Sequence, residues 1–396
     1  MGPDRFYLIT MMHKIFPAVD ENNENESFAV LLSMMDWSQA FDQQCHTLGV
    51  QSFINNDVRY SLIPLMISYL GDRKMKVKWN GHTSIVQSMN GGGAQGGLPG
   101  ILEYLSQNND CADFLNDDQR YKFIDDLSVL EIINLISLGI SSYNCKLHIP
   151  SDIATNNLYI DPSNLKSQDY INQIEQWTKS KKMKLNTTKS KYMIINFSSK
   201  YQSNTRLEME GKLLEQVQQT RLLGVIIDQS FSWQANTNFI VQKAYKRMSL
   251  LHKLYEFAVP IHELIEIYIL YIRSVLESSA VVWNSSLTQG QEKELERVQK
   301  VALRIILKDQ YENYENALLS CSIPTLKDRR KALSLSFAKK CVKNENTSKM
   351  FPVNRAYYNT RNKEKYAVTR TKMSRLAKIA IPYMQKLQMK IISDKP

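Results

Sequence analysis

Apolar positions follow two regimes along the 396-residue chain. Up to Trp233 they come in short runs broken by glycine, asparagine and aspartate; beyond it they recur every three or four residues. The first pattern predicts strands with interspersed helices, the second helices alone. Ala29-Val30-Leu31-Leu32-Ser33-Met34-Met35 is a continuous apolar run. It is too short for a membrane helix and right for a buried strand. The run ends at Asp36, ahead of a helix predicted from Trp37 to Gln44. Leu62, Leu65, Met66 and Tyr69 predict a second helix over 57–70, stopped by Gly71. Arg73, Met75, Val77 and Trp79 alternate with Lys74, Lys76 and Lys78, and Asn80-Gly81 predicts a hairpin returning through Ile85 to Met89. The glycine-rich string GGGAQGGLPG, residues 91–100, leads into a helix over 98–108.

Next comes RYKFIDDLSVLE, from Arg120 to Glu131, where apolar residues flank Asp125 and Asp126 and predict a tight hairpin. An amphipathic helix is expected over 168–184 with Ile171, Ile174 and Trp177 inward. A strand over 192–197, a hairpin over 207–214 turning at Gly211, and a strand over 220–228 follow. Then Ile240, Ala244, Met248, Leu251 and Tyr255 mark one helix, Ile261 to Val282 a second, and Leu295, Val298, Ala302 and Ile305 a third. Thr288 and Gln291 have the spacing of a capping box for the third helix. Strands early and helices late predict an α+β domain followed by a helical one. The boundaries expected are a polar, loosely held lead-in over 1–27, the α+β domain over 28–235, helices over 236–320 and a basic region over 321–396.

Composition narrows the class. Hydrophobic residues make up 43%, as in an ordinary globular protein. Five scattered cysteines without a CxxC pair predict reduced thiols in an intracellular setting, with neither a zinc site nor a disulfide framework. No signal peptide is visible at the N-terminus. The most apolar long stretch, 261–283, carries Glu263, Glu266, Arg273 and Glu277, which excludes it as a membrane span. Net charge is +11, unevenly spread. Residues 1–240 hold 21 basic against 25 acidic side chains, and residues 321–396 hold 19 against 4. A surplus gathered in one region is the footprint of a nucleic-acid or anionic-surface contact, or of a solvated basic tail. The lysine face of the 73–79 strand suits a phosphate backbone equally well as it suits solvent.

Chemistry concentrates in three carboxylates. Taken alone, Asp125 and Asp126 are turn formers and Asp36 is a helix N-cap. Taken together, a strand that delivers one aspartate beside a hairpin carrying two more suits a pair of divalent cations roughly 4 Å apart. Such a pair clamps the oxygens of a phosphoryl transfer.

The ordered set DWSQAFD, GGGAQGGLPG, FIDD, KLNTTKSKYMI and LLGV resembles the palm motif series of reverse transcriptases, in the variant found in non-LTR retrotransposons. YILYIRSVLE and LERVQKVALRIIL are similar to the downstream region of such elements. The resemblance implies a polymerase palm, an antiparallel sheet with helices on one face, with partial fingers over 28–235 and an all-helical thumb over 236–320. It implies an RNA-directed DNA polymerase that adds dNTPs to a primer 3′-hydroxyl, with RNA template, DNA primer and dNTPs as partners and no membrane. Two Mg2+ ions, replaceable by Mn2+, would be held by Asp36, Asp125 and Asp126. Lys189 would stand beside the triphosphate as a proton donor, Phe41 would be the steric gate against a 2′-hydroxyl, and Gln95 and Gly96 would contact nucleotide and template. Leu223, Gly224 and Val225 would form the primer grip. Ala94 departs from the proline usual before the glutamine-glycine pair. With about 30 residues ahead of the first strand, the chain resembles an N-terminally truncated copy. The alternative is a catalytically inactive nucleic-acid-binding remnant. The family's need for genomic DNA leads to an expected nuclear location, with the cytoplasm as the other intracellular option.

Overall fold

The computed structural model describes residues 3–20, 27–89, 91–93, 97–137, 158–160, 165–196, 205–352 and 378–393. The chain divides into two units, one of residues 24–217 and one of residues 1–23 joined with 218–396. The first helix corrects an expectation. Where a polar lead-in was predicted, Pro3–Asp20 forms helix α1. Its Tyr7, Leu8, Ile9, Met11, Met12, Ile15 and Phe16 are all buried. The polar string after Asp20 masked this segment; Pro3 at the start and Asp4 in the first turn are ordinary helix-opening residues.

In the 24–217 unit the organising element is strand β1, Ser27–Met35. Ala29, Val30, Leu31 and Leu32 are each fully buried, so both faces of β1 are covered, which is why the run shows no alternation. Helix α2, His46–Asn55, follows. The helix predicted over 37–44 does not form; turns run from Ser38 to Gln43, with Gln39 at φ 52°. The 57–70 helix shortens to a single 3-10 turn, Tyr60–Leu62, and α3, Ile63–Leu70. Its buried positions are Ile63 and Leu70, whereas Leu62 and Leu65, predicted to face inward, are exposed.

Two ribbons then form one exposed hairpin. Strand β2, Lys74–Met75, and β3, Lys78–Trp79, return as β4, His82–Thr83, and β5, Gln87–Ser88. Asn80 and Gly81 both have positive φ, as the predicted turn requires. Helix α4 is Leu98–Gln107. Strands β6, Arg120–Phe123, and β7, Asp126–Ser137, make the aspartate hairpin, and β8, Leu158–Ile160, pairs with β7. Helix α5, Ser167–Ser180, turns Ile171 and Ile174 into the core. Then come β9, Lys191–Ile195, and three two-residue strands: β10, Glu208–Met209; β11, Lys212–Leu213; and β12, Glu215–Gln216. The sheet order is β12-β9-β1-β7-β6, antiparallel except for the β12–β9 edge. Ala29, Leu31 and Met35 of β1 share one core with Val129 and Ile133 of β7, Tyr104 of α4, and Ile171 and Ile174 of α5.

The second unit is mostly helical. The strand predicted over 220–228 is a hairpin: β13, Gln219–Leu222, and β14, Val225–Asp228, turn at Leu223 and Gly224, both with positive φ. Helix α6, Gln234–Glu256, buries Ile240, Ala244, Met248 and Leu251 as predicted. The helix predicted over 261–282 is broken into α7, Ile261–Ile267, a π-turn over Tyr268–Arg273, α8, Ser274–Leu276, and α9, Ala280–Trp283. Ser279, at φ 48°, makes the corner. Glu277 beside it pairs with Arg329 at 2.9 and 3.0 Å and with Arg273 at 3.3 Å. Helix α10, Gln289–Leu307, buries Leu295, Val298, Ala302 and Ile305. Helices α11, Tyr314–Ser320, α12, Leu326–Lys343, α13, Glu345–Ser348, and α14, Ala380–Ser393, complete the unit. Of the basic 321–396 region, residues 353–377 and 394–396 lie outside the described residues. The architecture is therefore α+β, and among the described residues no helix is long and apolar enough to cross a membrane. Cys45, Cys111, Cys321 and Cys341 are free thiols.

The capping box of α10 is present in full. Thr288 Oγ1 accepts from Gln291 N, and Gln291 Oε1 accepts from Thr288 N at 2.9 Å. Thr288→Ala is expected to cost about 1 kcal/mol, read as a lower urea midpoint, and Thr288→Ser to restore it.

Candidate active site

Strand register brings the aspartates together. Met35 of β1 pairs with Leu127 of β7, so Asp36 stands one step beyond, across from Asp126. Phe123 pairs with Asp126, which leaves Ile124 and Asp125 as the two turn residues. Ile124 has φ 55°, an outlier for a β-branched residue worth roughly 1–3 kcal/mol of strain. The hairpin thus holds Asp125 at an exposed tip and Asp126 half-buried at its base.

A second segment is stitched to Asp36. The Asp36 N–H donates to Ser190 Oγ at 3.1 Å, the Asn186 N–H donates to Asp36 O at 2.8 Å, and the Ser38 N–H donates to Lys184 O at 2.9 Å. Asn186 Oδ1 accepts from Thr188 Oγ1 and from the Lys189 N–H, folding KLNTTKS into a compact turn. The Lys189 ammonium then lies 3.8 Å from Asp36 Oδ2, an ion pair beyond hydrogen-bonding reach. That oxygen is buried and lacks a hydrogen-bond partner.

Electrostatics show how closely the acids share this end of the sheet. Burial raises Asp36, Lys189 lowers it, and Asp125 raises it again. Burial pushes Asp126 up to about 6, aided by Asp125 and Asp36. Like charges that disturb one another in this way are relieved by taking up a proton or by a bound cation. Among the described residues no group of three or more His, Cys, Asp and Glu side chains stands arranged as a ready metal cage. The donor chemistry nevertheless fits a hard divalent cation: carboxylate oxygens from Asp36, Asp125 and Asp126, with Asp36 Oδ2 buried and faced by the Lys189 ammonium at 3.8 Å.

A cleft of about 340 Å³ opens beside Asp126. Trp37, Tyr104, Asn108, Lys122 and Ile124 line it with Asp126. Lys122 Nζ donates to the carbonyls of Asn108 at 3.1 Å and Cys111 at 3.2 Å, and burial lowers its pKa. Phe41, in the turn rather than on a helix, stacks on Tyr104 with centroids 4.7 Å apart. Burial raises the Tyr104 phenol. Phe41 therefore backs the wall of the cleft into which Asp126 looks. Tyr104 and Trp37 were not singled out in the sequence, because each reads there as one more apolar residue of a helix.

The glycine string packs on the loop after Asp36. The Gly92 N–H donates to Gln44 O at 2.8 Å and the Gly93 N–H to Phe41 O at 2.7 Å. Gly92 has φ 87°, and a Cβ there would lie 3.1 Å from Asp42 O; at Gly93 it would collide with the buried Gln44 side chain. The Gly92 carbonyl also faces His46 Nε2 at 3.0 Å and accepts from Arg73 Nη1 at 2.6 Å. Gln95 and Gly96, with Ala94, lie outside the described residues. Leu223, Gly224 and Val225 belong to the other unit.

The chain is similar to a curated Drosophila melanogaster protein described as "Probable RNA-directed DNA polymerase from transposon BS", with 25% identity over 219 residues. The match covers 55% of this chain and 22% of that protein, so the chain spans about a fifth of the relative's length. Among solved structures, a telomerase from Candida albicans in complex with a fragment of telomeric RNA aligns over 88% of this chain and 52% of its own. That alignment has 11% identity and a TM-score of 0.32. No family model matches.

Proposed function

We propose that the 24–217 unit is the palm of an RNA-directed DNA polymerase of the non-LTR retrotransposon type, and that the hairpin β13–β14 and helices α6–α11 serve as primer grip and thumb. The observation that carries this reading is the register that sets Asp36 across from Asp126, with Asp125 in the turn and Asp36 Oδ2 buried without a hydrogen bond. The transposon relative supports the same reaction class.

Asp36, Asp125 and Asp126 would hold two Mg2+ ions, or Mn2+ in their place, which when bound supply the charge that phosphoryl transfer needs. The chain's own groups do the rest. Turn residues 184–190 fix Asp36 through its backbone and keep the Lys189 ammonium at the carboxylate edge. In this reading Lys189 would give a proton to departing pyrophosphate. Phe41, braced by Tyr104, would close the space beneath the sugar and reject a 2′-hydroxyl. Gln95 and Gly96 would meet nucleotide and template. The RNA template, DNA primer and dNTPs are the partners of this reading, and the nucleus its expected place.

Purified chain given Mg2+, a primed RNA template and dNTPs is expected to extend the primer. Phe41→Ala is expected to reduce the preference for dNTPs over NTPs by about tenfold, about 1.4 kcal/mol. An unchanged preference would return Phe41 to the role of a core ring.

One observation favours a second reading, a nucleic-acid-binding remnant without catalysis: Lys189 already supplies a positive charge to Asp36. Steeply salt-dependent RNA binding with no incorporation in either Mg2+ or Mn2+ would select it.

A further inference from the structure

Helix α4, into which the glycine string leads, buries a carboxylic acid that the metal site does not use. Glu103, in the second turn, is fully buried, and neither of its oxygens has a hydrogen-bond partner. Its carboxyl group rests on Gly49 of α2, where a Cβ would lie 2.7 Å from Glu103 Oε1. Gln44 is 1% exposed with both amide atoms unpartnered, and its Oε1 fills the space that a Gly93 side chain would need. The charges that act on Glu103 belong to His46 on α2 and Arg73 ahead of β2. Beyond its N-cap Cys45, α2 has no other titratable side chain, and α3 brings only the Tyr69 phenol, near Gly97. Both charged neighbours bond elsewhere. His46 Nε2 donates to the Gly92 carbonyl at 3.0 Å, and Arg73 Nη1 donates to the same oxygen at 2.6 Å.

That allocation is inverted for an ionised acid. A carboxylate is a stronger acceptor than a carbonyl, and a buried one without a hydrogen bond is costly. The arrangement is stable while Glu103 carries its proton, and burial, the largest influence on it, favours that form. His46 and Arg73 pull toward the carboxylate. Gly92 and Glu103 therefore compete for one pair of donors, and a single proton decides between them. We infer that Glu103 is a positioning residue for the glycine string: as the neutral acid it leaves Arg73 and His46 on Gly92, and as the carboxylate it takes them and releases the string. The folded chain holds this proton more tightly than the unfolded one, so the string is held at lower pH and freed as pH rises through the titration of Glu103. The consequence for catalysis rests on the polymerase reading, in which Gln95 and Gly96 carry the string on to nucleotide and template. The proton switch rests on the buried groups alone.

The test reads the string itself, in the full chain and in EDTA, so a failed polymerase assignment leaves the result readable. Amide hydrogen exchange of the peptide containing Gly91, Gly92 and Gly93 is followed from about pH 5 to about 8 and corrected for the intrinsic pH dependence of exchange. Wild type is expected to lose protection as pH rises, by up to about tenfold per pH unit, the limit for one proton. Glu103→Gln, which cannot ionise, is expected to keep the low-pH protection throughout. Arg73→Gln is expected to lose protection already at the low-pH end. In primer extension the KM for dNTPs is then expected to climb with pH in wild type and to hold level in Glu103→Gln. A flat wild-type exchange profile would overturn the proposal, and that result needs no variant to fold. So would a pH response that survives in Glu103→Gln and disappears in His46→Gln, because the imidazole would then be the titrating group.

Discussion

Asp125→Ala is expected to cut templated dNTP incorporation by about a thousandfold or more, on the scale of the several kcal/mol that metal-borne charge supplies to a phosphoryl transfer. Asp125 suits this test because it lies at the exposed tip of the β6–β7 turn. Its removal leaves the Phe123–Asp126 pair and the sheet behind it in place. The melting temperature in chelator should therefore hold while activity disappears. Asp117→Ala, a fully exposed carboxylate on the loop before β6, is the matched control and should keep activity. Incorporation that survives Asp125→Ala at wild-type rates would remove the metal assignment, and with it the polymerase reading.

The second large effect, unlike the first, also changes stability. Asp126→Asn is expected to raise the stability of the metal-free chain at pH 7 by about 2 kcal/mol, several degrees in melting temperature, while abolishing incorporation. Burial and the charges of Asp125 and Asp36 lift Asp126 from its usual 3.8 to about 6. The folded chain thus holds this proton more tightly than the unfolded one. Acid therefore stabilises: the benefit is full below about pH 4 and fades as pH rises through about 6. In wild type, calorimetry in EDTA should show this site's contribution falling between pH 4 and 6. Asp126→Asn should flatten that part of the profile. A variant less stable than wild type at pH 7 would show that the carboxylate has a favourable partner in the native state.

Both effects trace to acids whose placement was legible in the sequence. The run ending at Asp36 and the apolar flanks of Asp125-Asp126 mark two strand ends, and adjacency of the two follows once both strands enter one sheet. Ile240, Ala244, Met248 and Leu251 were likewise readable, since a helix half-buried along one stripe writes its period into the sequence. Other features were hidden for identifiable reasons. The turns over 38–43 replace a helix because the glycine string presses its backbone against residues 41–44, a contact between segments about 50 positions apart in the chain. Leu62 and Leu65 form a stripe of the right spacing, yet spacing alone does not say which stripe faces the core. At Leu223 a non-glycine residue takes positive φ and splits one apolar run into two strands. Tyr104, which braces Phe41, is invisible as a site residue because stacking pairs come from the fold, not from any local pattern.

Helix α1 carries a consequence for biosynthesis. It packs on α9 and α14, and Phe16 meets Phe231 at 4.9 Å, so its partners lie more than 200 residues downstream. During translation this greasy segment leaves the ribosome before any of these partners and has none of them to shelter against until the 24–217 unit and much of residues 218–396 have been made. Contacts closed over such long loops form slowly and expose apolar surface meanwhile. The nascent chain should accordingly depend on a holdase for that interval. A circular permutant that moves residues 1–23 behind residue 396, where α14 already touches α1, should shorten it and refold faster.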